Sequence, residues 1–252
     1  MKRVLYILVA TSLLSMGIFA SSRSDVKIIE ATENIRYLGQ KLSKDYLYLY
    51  SNPKRVELKE NLSKDIEKLE LSIYDIDMST TNIDSKNILD FLTYNIEEIK
   101  ELLAKNITKE GSILILDYSE SFLEGANSIA SMHTYAFSDE EKMLMLMKEM
   151  NYLVERVSKY YLASKLNLDK SNNFEHMVEA ILRIDKVIKE VNMYNYPSLL
   201  KKESQEMSLI WKTHREFLYK SDKLFLPNLL DSSTTNLENI IQDIALYHKK
   251  NQ

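Results

Sequence analysis

The chain contains no cysteine. Disulfides, thiolate metal centres, iron–sulfur clusters, cysteine nucleophiles and a lipid-modified cysteine anchor are thereby excluded. Glycine (4) and proline (3) are scarce for 252 residues, which starves turns and suits long helices. There is no excess of basic charge either: 33 Lys and Arg stand against 37 Asp and Glu, a net charge of −4. With no basic patch, a nucleic-acid partner is not expected. Catalytic signatures are missing as well. The chain has no Gly-x-Ser-x-Gly, no phosphate loop and no His-Glu-x-x-His. The residues three before His133, His176, His214 and His248 are Ala130, Asn173, Trp211 and Ala245, so the Glu-x-x-His of carboxylate-bridged di-iron bundles is absent. The reading is a non-enzymatic protein without metal or cofactor.

What the chain does have is an internal repeat. Arg36-Tyr37-Leu38-Gly39-Gln40-Lys41-Leu42-Ser43-Lys44-Asp45-Tyr46-Leu47 returns 115 residues later as Asn151-Tyr152-Leu153-Val154-Glu155-Arg156-Val157-Ser158-Lys159-Tyr160-Tyr161-Leu162. The same offset carries Leu62, Ile66, Leu69, Ile73 and Met78 onto Met177, Ile181, Ile184, Ile188 and Met193, and His133 onto His248. A fixed offset held through a whole unit reads as a tandem duplication, residues 22–137 and 138–252.

Each unit shows four apolar stripes at 3/4 spacing, the mark of amphipathic helices. In the first unit the helices carry Ile28 to Leu49, Leu58 to Ile76, Ile88 to Leu103, and Leu114, Tyr118, Phe122, Ile129 and Met132. Pro53 is placed at the start of the second. In the second unit they fall at about 139–166, 173–193, 197–221 and 235–249, with capping boxes at Ser138–Glu141 and Thr235–Glu238. Short loops between such helices favour antiparallel packing. The expected fold is all-α: two tandem antiparallel four-helix bundles. Ahead of them, Met1-Lys2-Arg3 and the apolar run Val4 to Ala20 read as a secretory signal cut after Ala20, with an N-terminal membrane anchor as the alternative.

Helix 1 has a second face, formed by Thr32, Arg36, Gly39, Ser43, Tyr46 and Tyr50. The small Gly39 and Ser43 would let another helix come close, and the Arg36 fork suits a planar oxyanion. Spacing alone favours a solvated arginine on an exposed face.

The Arg36 to Asp45 stretch resembles the helix-1 signature of the PilJ-type module, approximately R-M-L-S-Q-[RK]-M-A-K-E. That module is the N-terminal domain of type IV pili methyl-accepting chemotaxis transducers, and it is related to the sensor domain of nitrate/nitrite sensor kinases. The resemblance implies periplasmic four-helix bundles that pair through helix 1, with the motif arginine holding an anion between the partner helices. On that basis the ligand-binding candidates are Arg36, Gly39, Gln40, Ser43 and Asn151, the last being the counterpart of Arg36. The implied ligand is a small oxyanion such as nitrate or nitrite, and the implied partner a membrane receptor or other protein. Pairing through helix 1 would be a homodimer or, within one chain, a pseudo-dimer with Arg36 facing Asn151. Thr32-Glu33 replaces the family's Ala-Gly, and Asn151 and Val154 replace the arginine and glycine in the second copy. These departures keep open a structural or protein-interaction role with no small ligand.

Overall fold

The structure, a computed structural model, describes residues 2–220 and 226–252, with side chains from residue 24 onward. The described residues form eight helices: α1 (Lys2–Ser51), α2 (Glu57–Ser79), α3 (Ile83–Ala104), α4 (Lys109–Ser131), α5 (Asp139–Lys165), α6 (Lys170–Met193), α7 (Ser198–Lys220) and α8 (Pro227–Lys250). No strand occurs among the described residues, so the chain is all-α. The expected signal segment, residues 1–20, lies outside the residues whose side chains are described. Among the described residues no helix is long and apolar enough to cross a membrane.

The stripes fix the packing. Leu58, Leu62, Ile66, Leu69, Ile73 and Ile76 are all buried on α2, as their spacing requires. α1 packs on α2 and α4, with α3 between α2 and α4. Helix directions follow from the side-chain ties. Ser24, midway along α1, donates to the Ser79 carbonyl at the end of α2, and Lys100 and Lys86 of α3 pair with Glu70 and Asp77 of α2. Neighbours in sequence are therefore antiparallel. The second four helices repeat the arrangement, with α5 packed on α6 and α8, and α7 on α6 and α8. Arg183 of α6 grips Glu149 of α5 through two bonds of 2.6 Å, and Arg215 of α7 pairs with Asp185 of α6 at 2.7 Å.

Matching ties close the two groups. His133 Nδ1 lies 2.8 Å from Asp25, and His248 Nδ1 lies 2.5 Å from Glu140. The first joins the residues just after α4 to the middle of α1, and the second joins the end of α8 to the start of α5. His248 Nε2 also meets the Tyr196 hydroxyl at 2.9 Å. Both histidines thus meet carboxylates of another helix.

Three local expectations are corrected. Pro53 sits in a turn, and α2 begins only at Glu57. α8 begins at Pro227, not at 235, because a proline with fixed φ and no N–H fits the first helical turn. Thr235 is therefore inside the helix, where its hydroxyl donates to the Asp231 carbonyl instead of capping. On α4 the buried stripe is Ile115, Ser119, Phe122, Ala126 and Ile129, while Leu114 and Met132 are exposed. The Ser138 capping box forms as expected: Glu141 N–H donates to Ser138 Oγ at 3.2 Å and Ser138 N–H to Glu141 at 2.7 Å.

α1 and α5 join the two groups. They run parallel: Lys148 of α5 reaches the Glu30 carbonyl near one end of the contact, and Lys44 of α1 reaches Glu155 near the other. The seam holds charges. The Lys44 ammonium lies 3.0 and 2.8 Å from the two Glu155 oxygens, and both side chains are almost fully shielded. Burial and Glu238 push the Glu155 carboxyl up, against the pull of Lys44. On the other side Lys159 and Arg156 of α5 cross to Glu120 of α4, at 2.5 and 2.6 Å.

Glu120 gives the fold an acid sensitivity. Burial pushes its carboxyl up, but Lys159 and Arg156 outweigh burial and bring it down to about 2, below its ordinary 4.5. A folded-state value below the unfolded one contributes stability that is present above pH 4.5 and is lost as pH falls toward about 2. The stability difference between the protein and Glu120→Gln, measured by urea unfolding, is expected to be constant above about pH 5 and to shrink steadily below it. A difference independent of pH would show that the ion pairs do not form.

Candidate functional site

The candidate residues separate in the structure. Gly39 faces α4: a Cβ built on it would lie 2.8 Å from the Phe122 Cβ. The close approach that a small residue permits is therefore made by the chain's own α4, not by a second helix 1. Gln40 is fully buried and donates to the Ser119 carbonyl of α4 at 3.0 Å. Ser43 is fully buried with its hydroxyl unpaired. Further along this face Tyr46 packs on Gly111, again on α4. Asn151 is half-buried, its Oδ1 shielded and unpaired.

Of the five, Arg36 lines a cleft between the two groups of helices. The cleft holds about 490 Å³ and lies between α1 and α5, flanked by α4, α6 and the α4–α5 connection. Its charged lining is Glu33 and Arg36 from α1, Lys142 and Glu149 from α5, and Glu190 from α6. Phe137, Met145, Leu146 and Tyr152 give it an apolar wall, and Asn127 adds an amide. Asn151 does not line it; the neighbouring Tyr152 does. From α5 it is Tyr152 and Glu149 that share the cleft lining with Arg36.

Glu33 and Arg36 are three apart on one helix, so their side chains meet, and they form an ion pair. The pair is incomplete. Glu33 Oε2 and Arg36 Nε are both shielded from solvent without a hydrogen-bond partner. Glu33 is 7 % exposed. Burial pushes its carboxyl up, while Arg36 and Lys148 draw it partly back. By contrast Glu149 is fully engaged by Arg183.

The methionine-rich start of α5 divides between two tasks. Met143, Leu144 and Met147 are core, and Met145 and Leu146 line the cleft. Among the described residues no group of three or more His, Asp or Glu is placed to hold a metal ion.

Glu33, Glu149 and Tyr152 were not singled out as ligand contacts by the sequence. One signal was available: Glu33 stands where the resembled module has glycine, three residues before the arginine, within reach of it on a helix. The chain matches no family model, no characterised protein and no solved structure.

Proposed function

We propose that the protein is a non-enzymatic binding module of sensory type, exported by its N-terminal segment, whose ligand site is the cleft between α1 and α5. The observation that carries this is the pair of shielded, unpaired polar atoms, Glu33 Oε2 and Arg36 Nε, on residues that wall the cleft. Buried polar groups are nearly always hydrogen-bonded, so the incomplete Glu33–Arg36 pair needs an explanation, which a ligand in the cleft that reorients the pair supplies. The volume is within the range of small-molecule sites, and the mixture of an apolar wall with a few convergent polar groups is their usual lining. The repeated sequence stretch supports the reading. Parallel packing of α1 on α5 brings the two similar stretches side by side, and the ties His133–Asp25 and His248–Glu140 recur at the same offset. A site between paired first helices is what the resemblance to the PilJ-type module leads one to expect.

The test is thermal unfolding of the protein with and without small polar molecules: nitrate, nitrite, aliphatic amines, carboxylates and amino acids. A ligand bound only by the folded state raises stability by about 2.7 kcal/mol at a hundred times its dissociation constant. At least one class is expected to raise the midpoint, and Arg36→Ala to abolish the rise. No shift with any class would overturn the proposal.

One observation favours a second reading, a scaffold or protein-interaction role without a small ligand. Arg36 already has a carboxylate partner in Glu33, and Leu71, Tyr74 and Met78 stand exposed along one side of α2.

A further inference from the structure

Resting on the cleft as the ligand site, we infer that its occupant is a zwitterion, an α-amino acid with an apolar side chain, and not a simple oxyanion. The charges of the lining decide this. A bare anion at Arg36 would sit against Glu33, the carboxylate already paired with that guanidinium. Like charges at such range oppose binding, and oxyanion recognition needs donors that are not already taken. A bare cation at Glu33 meets the opposite difficulty from Arg36 and Lys142.

A molecule with both charges matches the two opposite charges that α1 presents to the cleft. Its ammonium lies at the Glu33 carboxylate and its carboxylate at the Arg36 guanidinium, with Lys142 beside it. Glu149 does not compete for the ammonium, because Arg183 holds both of its oxygens. Lys148 faces Glu33 from α5, but its ammonium reaches the Glu30 carbonyl and leaves Glu33 Oε2 unbonded. The remaining wall, Phe137, Met145, Leu146 and Tyr152, offers apolar surface and no further donor set for a polar side chain, apart from the Tyr152 hydroxyl. Leucine, methionine and their homologues fit that description.

Isothermal titration calorimetry of the whole protein separates the arms. The probes are L-leucine, L-methionine, isoamylamine, 4-methylvalerate and sodium nitrate. L-leucine or L-methionine is expected to bind, with isoamylamine and 4-methylvalerate at least tenfold weaker and nitrate giving no heat. Glu33→Gln and Arg36→Gln are each expected to weaken the amino acid at least tenfold. Lys142→Ala changes an exposed side chain paired only with Asp139, and is expected to weaken it severalfold. This variant keeps the test open should either buried variant unfold, which circular dichroism would show. Binding of nitrate or 4-methylvalerate without the amino acid would overturn the zwitterion and leave the cleft as the site. Amino-acid binding that Glu33→Gln, Arg36→Gln and Lys142→Ala all leave intact would remove the occupant from this cleft. Heat from none of the five probes, together with no thermal shift in the wider panel, would bring down the binding-module reading itself.

Discussion

Lys44→Met is expected to destabilise the protein by about 3–5 kcal/mol, the range for removing one partner of a buried ion pair. The ammonium is the cation that the seam supplies to Glu155, which is fully buried and lies beside Glu238 and Asp45. Without it, Glu155 loses its direct partner in a low-dielectric contact, while the neighbouring Lys41 is held by Asp45 and Asp65. Removing both members is a different matter. Lys44→Met with Glu155→Leu replaces a charged pair by apolar groups of similar size and is expected to recover most of the loss, since desolvation and attraction nearly cancel in such pairs. The single variant should also show a pH signature. With Lys44 gone, the Glu155 carboxyl is held above its ordinary value by burial and by Glu238. A raised folded-state value means stability that is complete below the unfolded value and lost as pH rises through the folded one. The deficit is therefore expected to shrink when urea unfolding is repeated at about pH 5 instead of neutral pH. A Lys44→Met protein as stable as the parent at neutral pH would mean that this pair is open to water.

The second large effect is expected at Phe122. This ring is fully buried on α4 against Gly39 of α1. Phe122→Ala removes it from a filled core and is expected to cost about 3–5 kcal/mol through lost burial and the cavity left behind. The reciprocal change, Gly39→Ala, adds a methyl group 2.8 Å from the Phe122 Cβ. It is expected to cost about 1–3 kcal/mol by overpacking. Combining Gly39→Ala with Phe122→Leu should not relieve the strain, because leucine keeps the Cβ that the new methyl meets. Midpoints of urea denaturation for the four proteins check this. A stabilised Gly39→Ala, the usual outcome for a glycine in an open helix, would show that α1 and α4 are farther apart.

Those two sites also mark what the sequence made legible. The helical stripes carried the architecture, because burial on α2, α3, α5 and α6 follows the 3/4 spacing of their Leu, Ile, Val and Met residues. The small face of α1 was equally visible, but its partner was not. Spacing shows that something approaches Gly39, and only packing shows that it is Phe122. Lys44 was missed for a related reason. A lysine on a helix reads as solvated, and its burial depends on Glu155, which is distant in sequence. One trace existed, since Lys44 and Lys159 recur in register and both turn out to be buried across the seam. The start of α8 was missed because Leu230 and Thr234, buried on its first turns, give too short an apolar pattern to outweigh the apparent cap at Thr235. At the cleft, Arg36 was legible from the motif, while Glu149, Tyr152 and Glu190 converge on it from α5 and α6 only in three dimensions.

The cleft has walls from both groups of helices, so it exists only if α1 and α5 hold the eight helices together. Trp211 is the single tryptophan and lies on α7, where its indole N–H donates to Asp185 of α6. Its fluorescence reports on the second group alone, whereas circular dichroism reports on all eight helices. Urea unfolding followed by both signals on one sample is the direct test. A seam of buried ion pairs and packed apolar side chains predicts one transition, with the two signals coincident at every urea concentration. A dichroism step that Trp211 does not share would mean that α1–α4 and α5–α8 stand independently, and would contradict the site as described.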